Sequence, residues 1–375
     1  MKSLSTIARE LGVSVATVSY VYNGKWRENR IHPDLAERVR RKLAEERGLP
    51  DARGRQLRSG RTQTIGVLLP HLDQPYFLKL LAGIEQRLDQ SDYMVLLGSA
   101  HWQHEGRQVQ LIERMLARRV DAVVIAPRPA ADLSEFVGKL WSQRPRCPLV
   151  FIDNYLPESA VPHVLSDNRW GARQAVQRIL AAGRRKILFF GGDASLAAIH
   201  DRYLGYCDAI QGAGLQPSES LTIWWRGREA AACESLRRLL TSADRPDAIF
   251  GTSFLRFFPV LEVLEELALT HPADVLLAGF DEPLDSWARG TVLRVVRKPL
   301  LTVVQAAAEI GQQAVDLALA AIEGRDVAGQ QRLIRPAVNW ELEDAGPDCL
   351  AKGPFGLNTA KNGLENPVKE SSHAT

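Results

Sequence analysis

No run of eighteen consecutive apolar residues occurs in the 375-residue chain, so a membrane-spanning helix is not expected. The opening MKSLSTIAREL lacks the long apolar stretch of a secretory signal, and a cytoplasmic location is the expectation. Cysteine is sparse: Cys147, Cys207, Cys233 and Cys349 are scattered and form no CxxC pair. That spacing suggests neither a disulfide framework nor a zinc site. His101 and His104 have a spacing two metal ligands could use, but no cysteine or third ligand lies near them, so no metal is expected. A G-x-S-x-G elbow is absent, and no paired carboxylates stand in a setting for acid–base work. The pair Gly191-Gly192 lacks GxGxxG spacing and reads as a strand-to-loop turn. Neither catalysis nor a cofactor is expected.

Charge is present but unevenly placed. Residues 1–61 hold 14 Lys and Arg against 7 Asp and Glu, whereas the remainder holds 33 against 37. A basic head therefore precedes an acidic body, and such a head suits a polyanion partner by counterion release. The chain is also too long for one ordinary core, so several domains are expected.

Within the head, Ser3 or Ser5 can cap a helix whose Leu4, Ile7, Ala8 and Leu11 share one face, and Gly12 stops it. Ser14 caps a second helix, Val15 to Tyr22, with Val18, Val21 and Tyr22 as its apolar stripe. A third, Asp34 to Glu46, presents Leu35, Val39 and Leu43. This is a helix-turn-helix with a small trihelical core. GLPDARGRQLRSGRT (48–62), rich in arginine and glycine, reads as a linker.

From Thr64 onward, apolar runs such as TIGVLLP, YMVLLGS, VDAVVIAP and CPLVFIDN alternate with segments of helical spacing. The pattern restarts near residue 163 with HVLSDN, KILFFGGD, DAIFGTS and DVLLAGFD, and one long helix over 299–323 follows. Parallel sheets covered on both faces, in two lobes with a cleft between them, are the expectation. Small molecules bind beyond the carboxyl ends of such strands. That rule selects Asp73, Tyr76 and Phe77, Asp153 and Asn154, Asp193, Thr252 and Ser253, and Asp281. Trp102, Trp170, Trp224, Trp225 and Trp287 could stack on a sugar, with core packing as the default for each. A sugar-binding receptor without DNA function remains an alternative at this point, whereas an enzyme on the same α/β halves would need a catalytic constellation that the sequence does not show.

LSTIARELGVSVATVSYVYNG resembles the DNA-binding head of the lactose-repressor (LacI) family, and the linker and two-lobed body follow in the same order over about residues 2 to 343. SYVYNGKWRENRI, LRSGRTQTIGVLLP, GTSF and GFDEPLDSW are similar to the fructose-repressor (catabolite repressor/activator) branch, and VPHVLSDN and FFGGDASLAAIHDRYLGY to sucrose-operon repressors. The resemblance implies a periplasmic-binding-protein-like body, an α/β fold, behind an all-α head. It implies residues 1–47 as the head, 48–61 as hinge, 62–163 with 291–327 as one lobe and 164–290 with 328–343 as the other; residues 344–375, rich in Gly, Pro, Asn and Ser, read from composition as a disordered tail.

The same resemblance implies roles. Val15, Ala16 and Tyr20 would meet base edges of double-stranded operator DNA in the major groove, with Tyr20 where many relatives carry arginine. Thr6, Ser14, Thr17, Ser19, Asn23, Lys25, Arg27 and Arg30 would hold phosphates and set register. Leu57 would wedge into the minor groove across a homodimer, with tetramers left open, and Gly54 replaces the usual hinge alanine. Arg202, Asp281 and Lys298 would grip a sugar or sugar-phosphate effector, with Thr252-Ser253 in place of a more acidic Asn-Asp pair. Fewer acids beside two cations favour an anionic, fructose-related effector, although a non-sugar effector is a further alternative.

Overall fold

The computed structural model describes residues 3–45, 60–100, 106–142, 147–225, 229–253, 257–281 and 300–339. The expectations for Leu57, Lys298, His101, His104, Trp102, Trp287, most of the hinge and the tail lie outside these residues.

The head is built as its caps dictate. In α1 (Leu4–Leu11) the Ser3 hydroxyl accepts from the Thr6 amide, and Gly12, at φ 66°, ends the helix with its N–H on the Ala8 and Arg9 carbonyls. A left-handed residue there favours glycine. Ser14 caps α2 (Val15–Tyr22) by accepting from the Thr17 amide at 3.0 Å. Such a cap stabilises a helix by about 1 kcal/mol. With α3 (Pro33–Glu45), the two helices enclose Ile7, Ala8, Val18, Val21, Ala36, Val39 and Leu43. Burying each large aliphatic stabilises the head by roughly 1.5–3 kcal/mol, which three short helices cannot obtain from propensity alone.

The chain divides into two compact units, of which the first includes the head and all residues up to 168, 194–201 and 305–336, and the second 169–193, 202–304 and 337 onward. The first unit has six parallel strands: β1 (Thr64–Leu69), β2 (Met94–Ser99), β3 (Ala122–Ile125), β4 (Leu149–Ile152), β5 (His163–Ser166) and β11 (Gln331–Ile334), in the order β11-β5-β4-β3-β1-β2. The second repeats this wiring as β12-β10-β9-β8-β6-β7, from β6 (Ile187–Gly191), β7 (Thr222–Trp224), β8 (Ala248–Gly251), β9 (Leu276–Phe280), β10 (Leu301–Val304) and the antiparallel edge strand β12 (Ala337–Asn339). Helices connect the strands: α4 (Pro75–Leu88), α5 (Arg107–Ala117), α6 (Ala131–Ser142), α7 (Asn168–Ala181), α8 (Ala197–Gly212), α9 (Glu229–Leu240), α10 (Phe258–Glu266) and α11 (Ala307–Ile322). Fully buried strands such as β3, β4 and β8 read as continuous apolar runs because both faces of the sheet are covered.

The strand pairings correct the expected lobe boundaries. β5, expected to open the second lobe, pairs with β4 and β11 in the first sheet. β10, expected within a helix of the first lobe, pairs with β9 in the second. β11, expected in the second lobe, closes the first sheet. The helix expected from 299 starts at Ala307, since residues 301–304, LTVV, form a β-branched strand that the ladder recruits.

In the first unit α4 and α11 touch backbone to backbone. A Cβ at Gly83 would run into the Ala308 carbonyl, and one at Gly311 into the Leu80 carbonyl. Both glycines are there because of this close approach. None of the described helices is long and apolar enough to cross a membrane.

Candidate functional site

The outer face of α2 is the first candidate. Val18 and Val21 point into the head core, which at 100° per residue turns positions 15, 16, 19, 20 and 23 outward. Accordingly Val15 is 48% and Tyr20 40% exposed, large apolar surface that the head does not use itself. Ala16 beside them is exposed too. Thr6 and Thr17 share their hydroxyls with the capping serines, at 3.0 Å to Ser3 Oγ and 2.8 Å to Ser14 Oγ. Asn23 Nδ2 donates to the Ser19 carbonyl at 2.8 Å, closing the end of α2, while the Lys25 amide donates to the Tyr20 carbonyl at 2.9 Å. Lys25, Arg27 and Arg30 are exposed in the turn that follows, with Arg30 at φ 54°. The predicted base-facing and phosphate-facing residues within the head thus belong to one small trihelical unit.

The strand ends are the second candidate, and each unit supplies its own set. In the first unit, Asp73 is exposed. Tyr76 and Phe77, edge to face at 5.2 Å, belong to the hydrophobic cluster under α4 and α11, so their rings serve packing. Asp153 follows β4 at φ 63°. Its neighbour Asn154 is 1% exposed; its Nδ2 donates to the Pro127 carbonyl at 2.9 Å and its Oδ1 accepts from the Ala198 amide at 3.2 Å.

In the second unit Arg202, on α8, is 4% exposed. Its guanidinium carbon lies 3.8 Å from the centroid of the Phe280 ring, and its Nη1 donates to the Thr252 carbonyl. The Thr252 hydroxyl in turn accepts from the Gly192 amide at 3.1 Å. Asp281 follows Phe280 at φ 67°, with its N–H donated to the Val303 carbonyl at 2.8 Å. Ser253 is half-buried after β8. Arg202, Thr252, Phe280 and the Gly192 turn therefore form one arrangement at the carboxyl ends of β6, β8 and β9. A cation held on an aromatic face in a dry setting can attract an anion strongly, because little solvent screens it.

One participant was not selected from the sequence: Phe280 looked like the last residue of an apolar strand. Thr252 was selected, but the use of its backbone carbonyl as acceptor carries no side-chain signature. Asn154 followed a strand end as Asp153 does, and only its burial and two partners distinguish it. Of the tryptophans, Trp224 and Trp225 pack against the clusters of the second unit. Among the described residues no group of three or more His, Cys, Asp or Glu is placed to hold a metal ion.

Residues 62–339 match the family described as periplasmic binding proteins and sugar binding domain of LacI family. The chain is 25% identical to the ribose operon repressor of Haemophilus influenzae over 355 residues, 94% of this chain and 98% of that repressor. It is 25% identical to the catabolite repressor/activator of Escherichia coli (strain K12) over 321 residues, 85% of this chain and 92% of that protein. Its fold matches a lac repressor dimer bound to operator and the anti-inducer ONPF with a TM-score of 0.74 at 21% identity, covering 90% of this chain and 97% of that one.

Proposed function

The chain belongs to the family of periplasmic binding proteins and LacI sugar-binding domains, and from that premise we propose that it is a DNA-binding transcriptional regulator, a repressor of carbohydrate genes controlled by a small-molecule effector. The observation that carries this reading is the head: an N-capped α2 whose outer face exposes Val15, Ala16 and Tyr20, on a segment with twice as many basic as acidic residues. Such a helix suits the major groove, and its basic surroundings suit phosphates. The named relatives are repressors and regulators rather than enzymes.

A homodimer places two heads on successive half-sites of a pseudo-palindromic operator, with the hinge between them and Leu57 as minor-groove wedge. A DNA partner makes the cytoplasm its location. The effector binds at the strand ends, and its coupling to DNA equals its difference in affinity between the DNA-competent and DNA-released states. A fructose-related sugar phosphate is the preferred class. In the second unit Arg202, buried against Phe280, supplies a charge-assisted donor and Asp281 an acceptor for sugar hydroxyls, and the resemblance adds Lys298 as a second donor. The branch itself rests on motifs such as SYVYNGKWRENRI and GFDEPLDSW, since the ribose operon repressor is equally similar overall.

Gel shifts of the full chain on fragments from its own genomic neighbourhood, with and without sugar phosphates, test the reading. A salt-sensitive shift released by one of them is expected. No shift at any salt concentration sinks the regulator. A thermal-shift screen of fructose 1-phosphate, fructose 1,6-bisphosphate, fructose and sucrose then tests the effector class, and stabilisation by neutral sugars alone would refute the anionic assignment.

A further inference from the structure

Trp26 has no role in the reading above, yet it occupies a distinctive place. It lies in the turn between α2 and α3 and packs against the head core, as Ile31 and Leu35 also do. The Ile31 amide donates to its carbonyl at 2.9 Å, and Asn29 ties the same turn by donating its side-chain amide to the Lys25 carbonyl at 2.9 Å. Two guanidinium groups converge on its ring: the carbon of Arg27 lies 4.9 Å from the centroid and that of Arg40, from α3, 5.3 Å.

We infer that Trp26 is a positioning residue whose indole holds Arg27 and Arg40 together as a fixed two-cation edge for the backbone phosphates of duplex DNA. The inference rests on the DNA-binding reading and adds to it a device for affinity without sequence preference. An aromatic face attracts cations through its quadrupole, and a stacked guanidinium keeps the N–H fork at its rim available for a phosphate. Gathering two like charges on one ring opposes their mutual repulsion. Among the described residues Glu37 pairs with Arg40 at 3.7 Å, at an exposed position where solvent weakens the pair. A polyanion with a phosphate about every 3.4 Å along each strand supplies stronger counter-charge. The ring also fixes the turn to α3, so the arginines lose little freedom on binding.

The test uses the full chain and a labelled 30-base-pair duplex of random sequence, titrated by fluorescence anisotropy from 50 to 200 mM NaCl. Arg27→Gln and Arg40→Gln should each lower the slope of log affinity against log salt by about one. Trp26→Leu keeps both charges; it should nonetheless weaken binding roughly 3- to 10-fold and lower the slope by about one, since unpositioned arginines no longer release counterions in full. Trp26→Phe retains a ring and should stay within about twofold of the parent. Parent-like affinity and slope in Trp26→Leu overturn the inference, and so does a Phe variant as weak as the Leu variant, which reduces Trp26 to packing. If Trp26→Leu does not fold, the combined Arg27→Gln and Arg40→Gln variant decides, because an unchanged slope there is equally fatal. A parent chain that binds no duplex at 50 mM refutes instead the DNA-binding reading beneath it.

Discussion

One substitution made at two helical glycines should change stability in opposite directions. Gly138 lies in α6 with nothing within 4 Å of where a Cβ would stand. Alanine there restricts the unfolded chain and improves helix propensity, and should stabilise by about 0.5–1 kcal/mol. Gly83 lies in α4, where the new Cβ meets the backbone of Ala308 in α11. The propensity gain of about 1 kcal/mol is the same, but the obstacle is main chain and cannot rotate away. Either α11 slides, disturbing Ile310, Ala314 and Val315 in the cluster beneath, or the carbonyl shifts off its helix ladder. Overpacking of this kind costs roughly 3 kcal/mol when backbone must move. The net expectation is a loss of about 2 kcal/mol, or roughly 4–8 °C in melting temperature for a unit of this size. Thermal melts of the full chain followed by far-ultraviolet circular dichroism, with Gly83→Ala and Gly138→Ala measured together, check it. Gly83→Ala melting at or above the parent would mean that the two helices are not in backbone contact.

Tyr20→Ala should leave the melting temperature essentially unchanged, since an exposed side chain away from caps and core shifts stability by about 0.5 kcal/mol or less, while preference for the operator over random duplex falls about tenfold or more; unchanged preference removes Tyr20 from base contact. Arg202→Ala should abolish the thermal shift produced by a sugar phosphate and also lower stability by about 2–3 kcal/mol, because the Thr252 carbonyl loses its donor and Phe280 its cation; an undiminished ligand shift moves the effector elsewhere. Burial holds His163 below its usual value of 6.5, and its ring stacks on Tyr155 at 5.0 Å. The folded chain thus takes up its proton later than the unfolded one, so stability is full above pH 6.5 and declines as pH falls from there toward the lower folded value. His163→Phe should flatten the fall in melting temperature between pH 7.5 and 5, and an identical fall in the variant excludes His163 as its source.

The head was legible nearly residue by residue because its signals are local. Ser3, Gly12 and Ser14 each act on atoms within four positions of themselves, so their consequences follow from spacing alone. Strand membership was not, because β5, β10 and β11 are assigned by partners far away in the chain, and a buried parallel strand has the same composition in either sheet. The sequence LTVVQAAAEIGQQ hides a strand at the front of a helix, and the run Thr302, Val303 and Val304, each branched at Cβ, signals the change. At the strand ends, architecture located Asp153 and Asp281 correctly as the residues leaving β4 and β9. It gave no means to see that Phe77 turns into the core, or that Arg202 settles on Phe280, since both depend on which way a helix faces its sheet.

The two units arrive at one solution at the ends of their fourth strands. Phe151-Ile152-Asp153 leaves β4 and Gly279-Phe280-Asp281 leaves β9, and both aspartates take left-handed backbone, at φ 63° and 67°. That conformation costs about 1–2 kcal/mol for most side chains and less for aspartate, whose carboxylate can bond locally. Glycine would adopt it with no such penalty. Both aspartates stand beyond the carboxyl ends of parallel strands, where ligands sit in such sheets. From there the two units differ. Beside Asp153 the amide of Asn154 is committed on both sides to the protein itself. In the second unit a buried cation stands over the ring that precedes Asp281. An acid beside a fixed amide suits neutral hydroxyls; an acid beside a desolvated guanidinium suits a ligand carrying both hydroxyl and anionic oxygens. The same turn is thus furnished with different neighbours in each unit, a fixed amide in the first and a buried guanidinium in the second.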